Sequence, residues 1–470
     1  MGCHLTARKG TPTAAAVETA TRRSGLSHIV MKEHSRSYTS AQVDKAFYED
    51  PEARRDTPMQ FRWTVPGFFR DYAALPWTGS PTRDHAASCI LAEAMAVAGT
   101  DQRVSVSLNR DWYTGREDIV GRGYTYEHVR GALRTLVQGG WLDIIKGERI
   151  PGGSGVQTVF WPTQRLIDLI GLDVALVYGL RDPIVLRGAD GQSGPVPRTR
   201  EMDRVRGRLV ERNEAFAATE LRLDAPDVIW TPDAPMKIDG RWYDPRKKAA
   251  HAVYNVTTQA GGRLYGLPFQ TLNNRDHGRR GQLLQNGKPT EEPDFGGCHP
   301  RMIYHGLGLD PAMDDLYAVR HPVYGRDEAK LAMQVLINAT GAQDGLFGFC
   351  YRLAGDAAKA ERKAGGPVLS QTELDARAMA HMPDARLLFD ALSALHAPIS
   401  QAFFTGIGVK LQHTETQIMT RAAMACLRRG VVVLPMHDSA LTEAGTHASI
   451  LREEMVRSYV GQVGKTPKIG

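Results

Sequence analysis

His437 and Asp438 interrupt an apolar run that extends from Gly430 through Val431, Val432, Val433, Leu434, Pro435 and Met436 and resumes at Ala440 and Leu441. Apolar, β-branched residues on either side of two polar ones spell a strand, a tight turn and a returning strand. A carboxylate fixed on a hairpin tip has the positional accuracy that a metal-dependent reaction needs. An Asp in a turn also serves purely local backbone hydrogen bonding. The two readings separate on whether the chain supplies a second carboxylate and nearby cations. Asp294, ending a strand candidate, supplies the carboxylate. Arg326 and Lys330, four residues apart on the helix that opens after Gly325, supply two cations on one face. Arg263, Arg275, Arg279 and Arg280 add a basic cluster earlier in the chain. Two Asp on separate strands opposite a cationic helix suit nucleotidyl transfer, whose crowded anionic transition state is stabilised by positioning and charge neutralisation. Two Mg²⁺ ions about 3.5–4 Å apart would clamp the attacking and leaving oxygens. Carboxylates complete such sites together with phosphates and waters. Taken singly, Asp294 also fits a turn before Gly296-Gly297, Arg326 and Lys330 a solvated helix face, and Asp438 a hairpin cap.

Other elements would position these groups. Gly261-Gly262-Arg263-Leu264-Tyr265-Gly266 reads as a glycine-flanked basic turn, and Leu411-Gln412-His413-Thr414-Glu415 opens a helix to Arg429 that feeds the hairpin. Further upstream, Asp84–Val97 is a helix candidate and Val104–Leu108 alternates as a strand. Thr125–Gln138 is a helix with Val129, Leu133 and Leu136 on its apolar face and Gly139-Gly140 at its end. Trp141–Ile145 and Val156–Phe160 are strands joined by a basic, Gly-rich loop with Lys146 and Arg149. Between the halves, Pro183–Leu186 is a strand candidate, and Arg198–Leu221 an amphipathic helix with Met202, Val205, Leu209 and Val210 on one face. Its Arg204, Arg206, Arg208 and Arg212 fall largely elsewhere, on a face that either follows nucleic-acid backbone or is simply solvated.

The order of the C-terminal motifs resembles the palm and fingers of family A DNA polymerases and of the related phage single-subunit RNA polymerases, over about residues 250–450. The resemblance makes Asp294 the motif A carboxylate, Arg326 and Lys330 the motif B pair that grips the triphosphate, and His437-Asp438 the motif C hairpin. Gly262-Arg263-Leu264 matches the Gly-Arg-Leu segment before motif A, and Gln412 the Gln before the helix leading into motif C. It implies that Asp294 and Asp438 hold Mg²⁺ (or Mn²⁺), that Lys330 assists the departing pyrophosphate and that His437 positions the primer end. Arg263, Arg275, Arg279, Arg280 and Gln412 would then contact template. The pattern also departs from the family: His299 stands where motif A carries Glu, Gln334 and Asn338 where motif B carries aromatics, and Ser439 follows His-Asp. The segment from Lys330 to Gln412 is short for a full fingers domain, and no exonuclease domain fits before residue 250.

The helix, strand, helix and β-wing order from Asp84 to about Thr163 resembles a winged helix-turn-helix domain. That resemblance puts Thr125–Gln138, with Arg130, in a DNA major groove and Lys146 and Arg149 on phosphate. Winged helices also serve as protein-interaction modules.

The fold expected is therefore α+β: a tail over 1–40, a winged-helix domain over 41–170, a linker with a basic helix over 171–242, and an antiparallel-sheet palm with a helical fingers-like segment over 243–470. The function implied is a template-dependent nucleotidyltransferase, a polymerase or primase-polymerase serving a plasmid, phage or integrative element. Its partners would be DNA, nucleoside triphosphates and an accessory replication protein. The alternative is a non-catalytic DNA-binding initiator or regulator with a degenerate palm as scaffold.

The composition bounds these readings. A chain of 470 residues, 42% hydrophobic and 23% charged, has ordinary globular content and length for two or three domains. A net charge of +6 and pI near 9.0 lean toward a polyanionic partner. No apolar run approaches the roughly 18–20 residues of a membrane span, so no membrane partner and a cytoplasmic, nucleoid-associated location are expected. Cys3, Cys89, Cys298, Cys350 and Cys426 are scattered without a C-x-x-C pair, which disfavours a disulfide framework and structural zinc. Met1-Gly2 with Thr6 and Cys3 matches a loose acylation pattern that short sequences meet by coincidence. Gly464-Lys465-Thr466 lacks the first glycine of a phosphate loop, because Tyr459 stands there.

Overall fold

A computed structural model describes residues 56–65, 75, 77–114, 124–147, 157–172, 174–178, 182–189, 191 and 193–470. The tail expected over 1–40, its acylation pattern, and the loop residue Arg149 lie outside the described residues. The architecture is α+β, with most strand pairings antiparallel. Among the described residues, no helix is long and apolar enough to cross a membrane.

In the N-terminal part the chain runs β1 (Asp56–Pro58), α1 (Pro81–Ala96), β2 (Arg103–Val106), α2 (Arg110–Tyr113), α3 (Tyr126–Gln138), β3 (Leu142–Ile145) and β4 (Thr158–Pro162). The sheet order is β1-β2-β4-β3, with β1 parallel to β2 and the other pairs antiparallel. Pro81 opens α1, where the missing amide proton costs nothing. Thr125 caps α3, its hydroxyl accepting the His128 N–H at 3.3 Å. Val129, Leu133 and Leu136 are buried against α1, as the 3.6-residue periodicity predicts, and Phe160 of β4 is fully buried in the same core.

The segment expected as a linker is instead woven into the sheets that follow. β5 (Ile184–Arg187) pairs in parallel with β8 (His251–Asn255), and the sheet runs β9-β8-β5-β6, where β6 is Ser193–Gly194 and β9 is Thr257–Tyr265. Between them α4 (Arg200–Ala218) leads to β7 (Leu221–Leu223). Helix α4 buries Met202, Leu209, Arg212 and Phe216, whereas Val210, expected on the apolar face, is exposed. The apolar stripe thus runs through Arg212. Arg246 ties this region to the N-terminal core, donating to the carbonyls of Leu172 and Met95 while paired with Asp244.

A second sheet, ordered β12-β13-β11-β10-β7, is built from β7, β10 (Leu283–Gln285), β11 (Lys288–Glu291), β12 (Leu434–Met436) and β13 (Ser439–Glu443). Helices fill the remaining space: α5 (Cys298–Gly306), α6 (Arg326–Asn338), α7 (Ala342–Lys363), α8 (Gln371–Ala380), α9 (Met382–Leu395), α10 (Gly408–Arg428) and α11 (Thr446–Val463). Helix α10 is the spine. Its buried Leu411, Ile418, Ala422 and Cys426 belong to the large C-terminal core, and it also packs along β9.

Candidate active site

The hairpin forms where expected. Met436 pairs with Ser439, so His437 and Asp438 are a two-residue turn between β12 and β13. Tight turns of this kind need positive φ, which favours glycine. Here His437 adopts φ +70°, strain of the sort that proteins retain at functional sites. Its ring lies 5.4 Å from that of Tyr265, and its buried Nδ1 has no hydrogen-bond partner among the described residues. Burial, then the nearby Arg263 charge, holds the imidazole pKa below its ordinary value.

Asp294 continues the register of β11 against β13. It bridges Ser439, Phe295 donates its N–H to the Asp438 carbonyl at 3.1 Å, and Ala440 donates to the Pro293 carbonyl at 3.2 Å. The two predicted carboxylates therefore leave adjacent backbones one residue out of step, and the turn at His437-Asp438 sets the direction of the second. Asp294 is exposed, and the chain at Lys468–Gly470 pairs along Asp294–Gly296. The Asp438 carboxyl is more enclosed. Burial, and next the charge of Glu415, raises its pKa, against the lowering effect of Arg263 and His299. Cys298, buried at the start of α5, senses both ends of the site: after burial, the charges of Glu415, Asp438 and Asp294 all push its thiol pKa up.

Glu415 is the residue that sequence reading missed. It is 1% exposed on α10 and accepts two hydrogen bonds from Arg263, Nε at 2.8 Å and Nη2 at 2.6 Å. His299 Nε2 reaches the same carboxylate at 2.8 Å. Burial acts to raise the Glu415 pKa, but the hydrogen bonds and charges of His299 and Arg263 outweigh it and hold the pKa below the usual value. The sequence did carry a signal. Leu411, Glu415, Ile418 and Ala422 fall on one helical face, and a carboxylate in an apolar stripe is buried and needs partners. His299, noted as a departure from the motif A pattern, sits against that carboxylate.

The geometry of β9 aims Arg263 at Glu415. Gly261 and Gly262 have φ +78° and +92°, at an irregularity in the β8–β9 pairing near Val253 and Tyr254. A side chain on Gly262 would press on the Tyr254 ring at 3.0 Å. Glycines let the strand bend there and turn Arg263 inward.

The predicted cations fare unequally. Arg326 begins α6, stacks over Tyr317 at 5.3 Å and forms a two-pronged pair with Asp315 at 2.7 and 3.0 Å. Tyr317 in turn senses the Asp438 charge, which, after burial, helps push its phenol up to about 12. Lys330 is exposed one turn further along α6. Arg279 is not part of an open channel. It is buried, and its guanidinium is taken up by Asp227 and Asp239, with contacts as short as 2.6 Å. Arg280 pairs with Glu292 at 2.8 Å, and Glu292 also accepts the Ser439 hydroxyl at 2.6 Å, so this pair braces the hairpin base. Arg263, expected on template, is likewise engaged internally, by Glu415. The Arg275 side chain lies outside the described residues. Gln412 is half-buried in the first turns of α10. In the N-terminal part, Arg130 and Lys146 are exposed, and Arg130 lines a cleft between α1 and α3 with Arg83 and Arg134.

Among the described residues, no group of three His, Cys, Asp or Glu side chains forms a ready metal cage. The chain matches no family model, no curated protein and no solved structure.

Proposed function

We propose that this protein is a template-dependent nucleotidyltransferase, a polymerase or primase-polymerase whose catalytic carboxylates are Asp294 and Asp438. The observation that carries the reading is the continued register that seats Asp294 and Phe295 against Asp438 and Ser439. The backbones that carry these two motif residues, remote in sequence, are hydrogen-bonded at the end of one sheet, and the charges of Glu415, Arg263 and His299 act on Asp438 there, which supports the reading.

The donor set suits Mg²⁺ or Mn²⁺. Both carboxylates are hard oxygen donors, and among the described residues no salt bridge occupies either one. Asp294 and Asp438 would hold the ions, with phosphate oxygens and water completing the shells. The bound metal would supply charge neutralisation at the attacking and leaving oxygens. Glu415, kept ionised by Arg263 and His299, adds negative charge beside Asp438 and so favours a cation there. Lys330 and Arg326 on α6 would draw the polyphosphate of the incoming nucleotide, with Arg326 exchanging its exposed Asp315 pair for phosphate. His437, held neutral by burial, would pack against the primer terminus and leave Asp438 free to bind metal.

The N-terminal part suits duplex DNA. Its order of helix, strand, helix and antiparallel hairpin, with Arg130, Arg134 and Lys146 exposed, supports a winged-helix role for α3.

The test is incorporation of labelled nucleotides on primed and unprimed templates with Mg²⁺ or Mn²⁺. Wild type is expected to incorporate and Asp438→Ala to lose activity; equal incorporation by both would assign the signal to a contaminant. One observation favours the second reading, a non-catalytic DNA-binding initiator: Arg263, Arg279 and Arg280 are all engaged by internal carboxylates, which leaves few free cations along a template path. That reading predicts duplex binding that is lost on deleting residues 84–163, with no incorporation by any variant.

A further inference from the structure

Helix α4 carries Arg204, Arg208 and Arg212 at four-residue intervals, on one stripe. The stripe faces α10 across a cavity of about 230 Å³ floored by Gly262 and Leu264 of β9. Arg421 of α10 brings a fourth guanidinium to the lining, and Glu201 is its one carboxylate among the described residues. None of the four arginines is paired with a carboxylate among the described residues.

Arg212 makes the groove more than a basic surface. It is 5% exposed, and its Nε has no hydrogen-bond partner among the described residues. The Phe216 ring, 5.8 Å away, is its aromatic neighbour. Burial alone pushes its pKa down to about 10, so at neutral pH it is a buried cation lacking a counter-charge. Thr416 of α10 also lines the cavity with a buried hydroxyl that has no partner. Buried charges are kept in proteins when something supplies the opposite charge, and planar guanidinium forks match phosphate oxygens.

We propose that this groove is a phosphate-binding site distinct from the hairpin site, with Arg212 at its base and Arg204, Arg208 and Arg421 at its rim. Its lining includes neither the hairpin residues nor Arg263, Glu415 or His299. Gly262 and Leu264 face the cavity, while Arg263 between them points to Glu415. The space has room for several waters, and so for a phosphate group. The phosphate belongs either to a nucleic-acid strand or to a free polyphosphate, and one experiment separates these sources.

Binding of tripolyphosphate and of an oligothymidylate would be measured by calorimetry on the full chain carrying Asp438→Ala, which prevents turnover. Arg212→Met and the rim variant Arg204→Gln/Arg208→Gln/Arg421→Gln are each expected to weaken binding of one or both ligands about tenfold or more. Arg212→Lys is expected to recover part of that loss. A loss confined to tripolyphosphate assigns the site to free polyphosphate; a loss confined to the oligonucleotide assigns it to a strand. Thermal melting in phosphate-free buffer gives a second readout, in which Arg212→Met melts at or above the parent temperature because an unpaired buried charge is removed. Affinities unchanged within about twofold in both variants would overturn the proposal. So would a sharp fall in melting temperature for Arg212→Met with unaltered binding by the rim variant, since Arg212 would then support only the fold.

Discussion

Phe295 donates its backbone N–H to the carbonyl oxygen of Asp438 at 3.1 Å. That bond fastens the residue after Asp294 to the second candidate metal carboxylate, so the two halves of the site move as one piece of sheet. Around it, Glu292 braces Ser439 and Arg280 from one side, and Glu415 holds Arg263 and His299 on the other. Glu292 and Phe295 thus bond the hairpin directly, at Ser439 and Asp438.

Asp438 is expected to reduce stability at neutral pH. Its folded pKa is raised by burial and by Glu415, so the folded state holds the proton more tightly than the unfolded state. Stability from this residue is fully present below the unfolded pKa and is lost as pH rises through the folded pKa. Asp438→Asn should therefore stabilise by about 0.5–2 kcal/mol near pH 7, with the gain vanishing toward pH 4. Mg²⁺ should raise the melting temperature of wild type and leave that of Asp438→Asn unchanged. Melting curves across pH, with and without Mg²⁺, check both statements.

Glu415 should behave in the opposite sense. Its pKa is lowered despite burial, because His299 and Arg263 hold the charged form, so its contribution is present above the unfolded pKa and lost as pH falls through the folded one. Glu415→Ala leaves Arg263 without its partner and should cost about 3–5 kcal/mol. Arg263→Met combined with Glu415→Leu should recover much of the loss. Urea unfolding of Arg263→Met, Glu415→Leu and the double, as a mutant cycle, would measure the coupling. Additive effects would contradict the pair.

The strained turn predicts a contrast between two small substitutions. With φ +70° at position 437, His437→Gly should be more stable than His437→Ala by about 1 kcal/mol. Both lose the ring packed near Tyr265, so the difference isolates the backbone. Both should also lower incorporation. Chemical denaturation of the two variants side by side measures the difference, and equal stability would mean that the backbone carries no strain there.

Duplex affinity should depend on the exposed cations of α3, Arg130 and Arg134. Arg130→Glu with Arg134→Glu should weaken duplex binding and flatten its salt dependence, by a slope change of about 2 in log–log form. A fluorescence-anisotropy titration at several salt concentrations reads both quantities. Unchanged affinity would move DNA binding away from α3.

How much of this was legible in the sequence follows the reach of each interaction. The hairpin was, because alternation and a two-residue polar turn are local. So were α3 and α6, each with a start and an apolar stripe within one helix. Within the stretch expected as a linker, the strand at β5 and helix α4 were foreseen, but β7 is only three residues long, and the partners of both strands lie far along the chain. Strands that short have no periodicity to detect. Arg279 was assigned to a channel from its charge alone, whereas Asp227 and Asp239, which neutralise it, come from distant loops. Glu415 and Arg212 were legible in part. Each interrupts an apolar helical stripe, which marks a buried charge, but its partner or lack of one appears only in three dimensions.

The most direct measurement is the rate of template-dependent nucleotide incorporation by Asp294→Ala beside Asp438→Ala and the double variant, with Mg²⁺. If the two carboxylates form one metal site, each single substitution should reduce the rate by more than about a hundredfold, and the double should be no worse than either single. An Asp294→Ala protein that incorporates nucleotide at the wild-type rate would contradict the shared site.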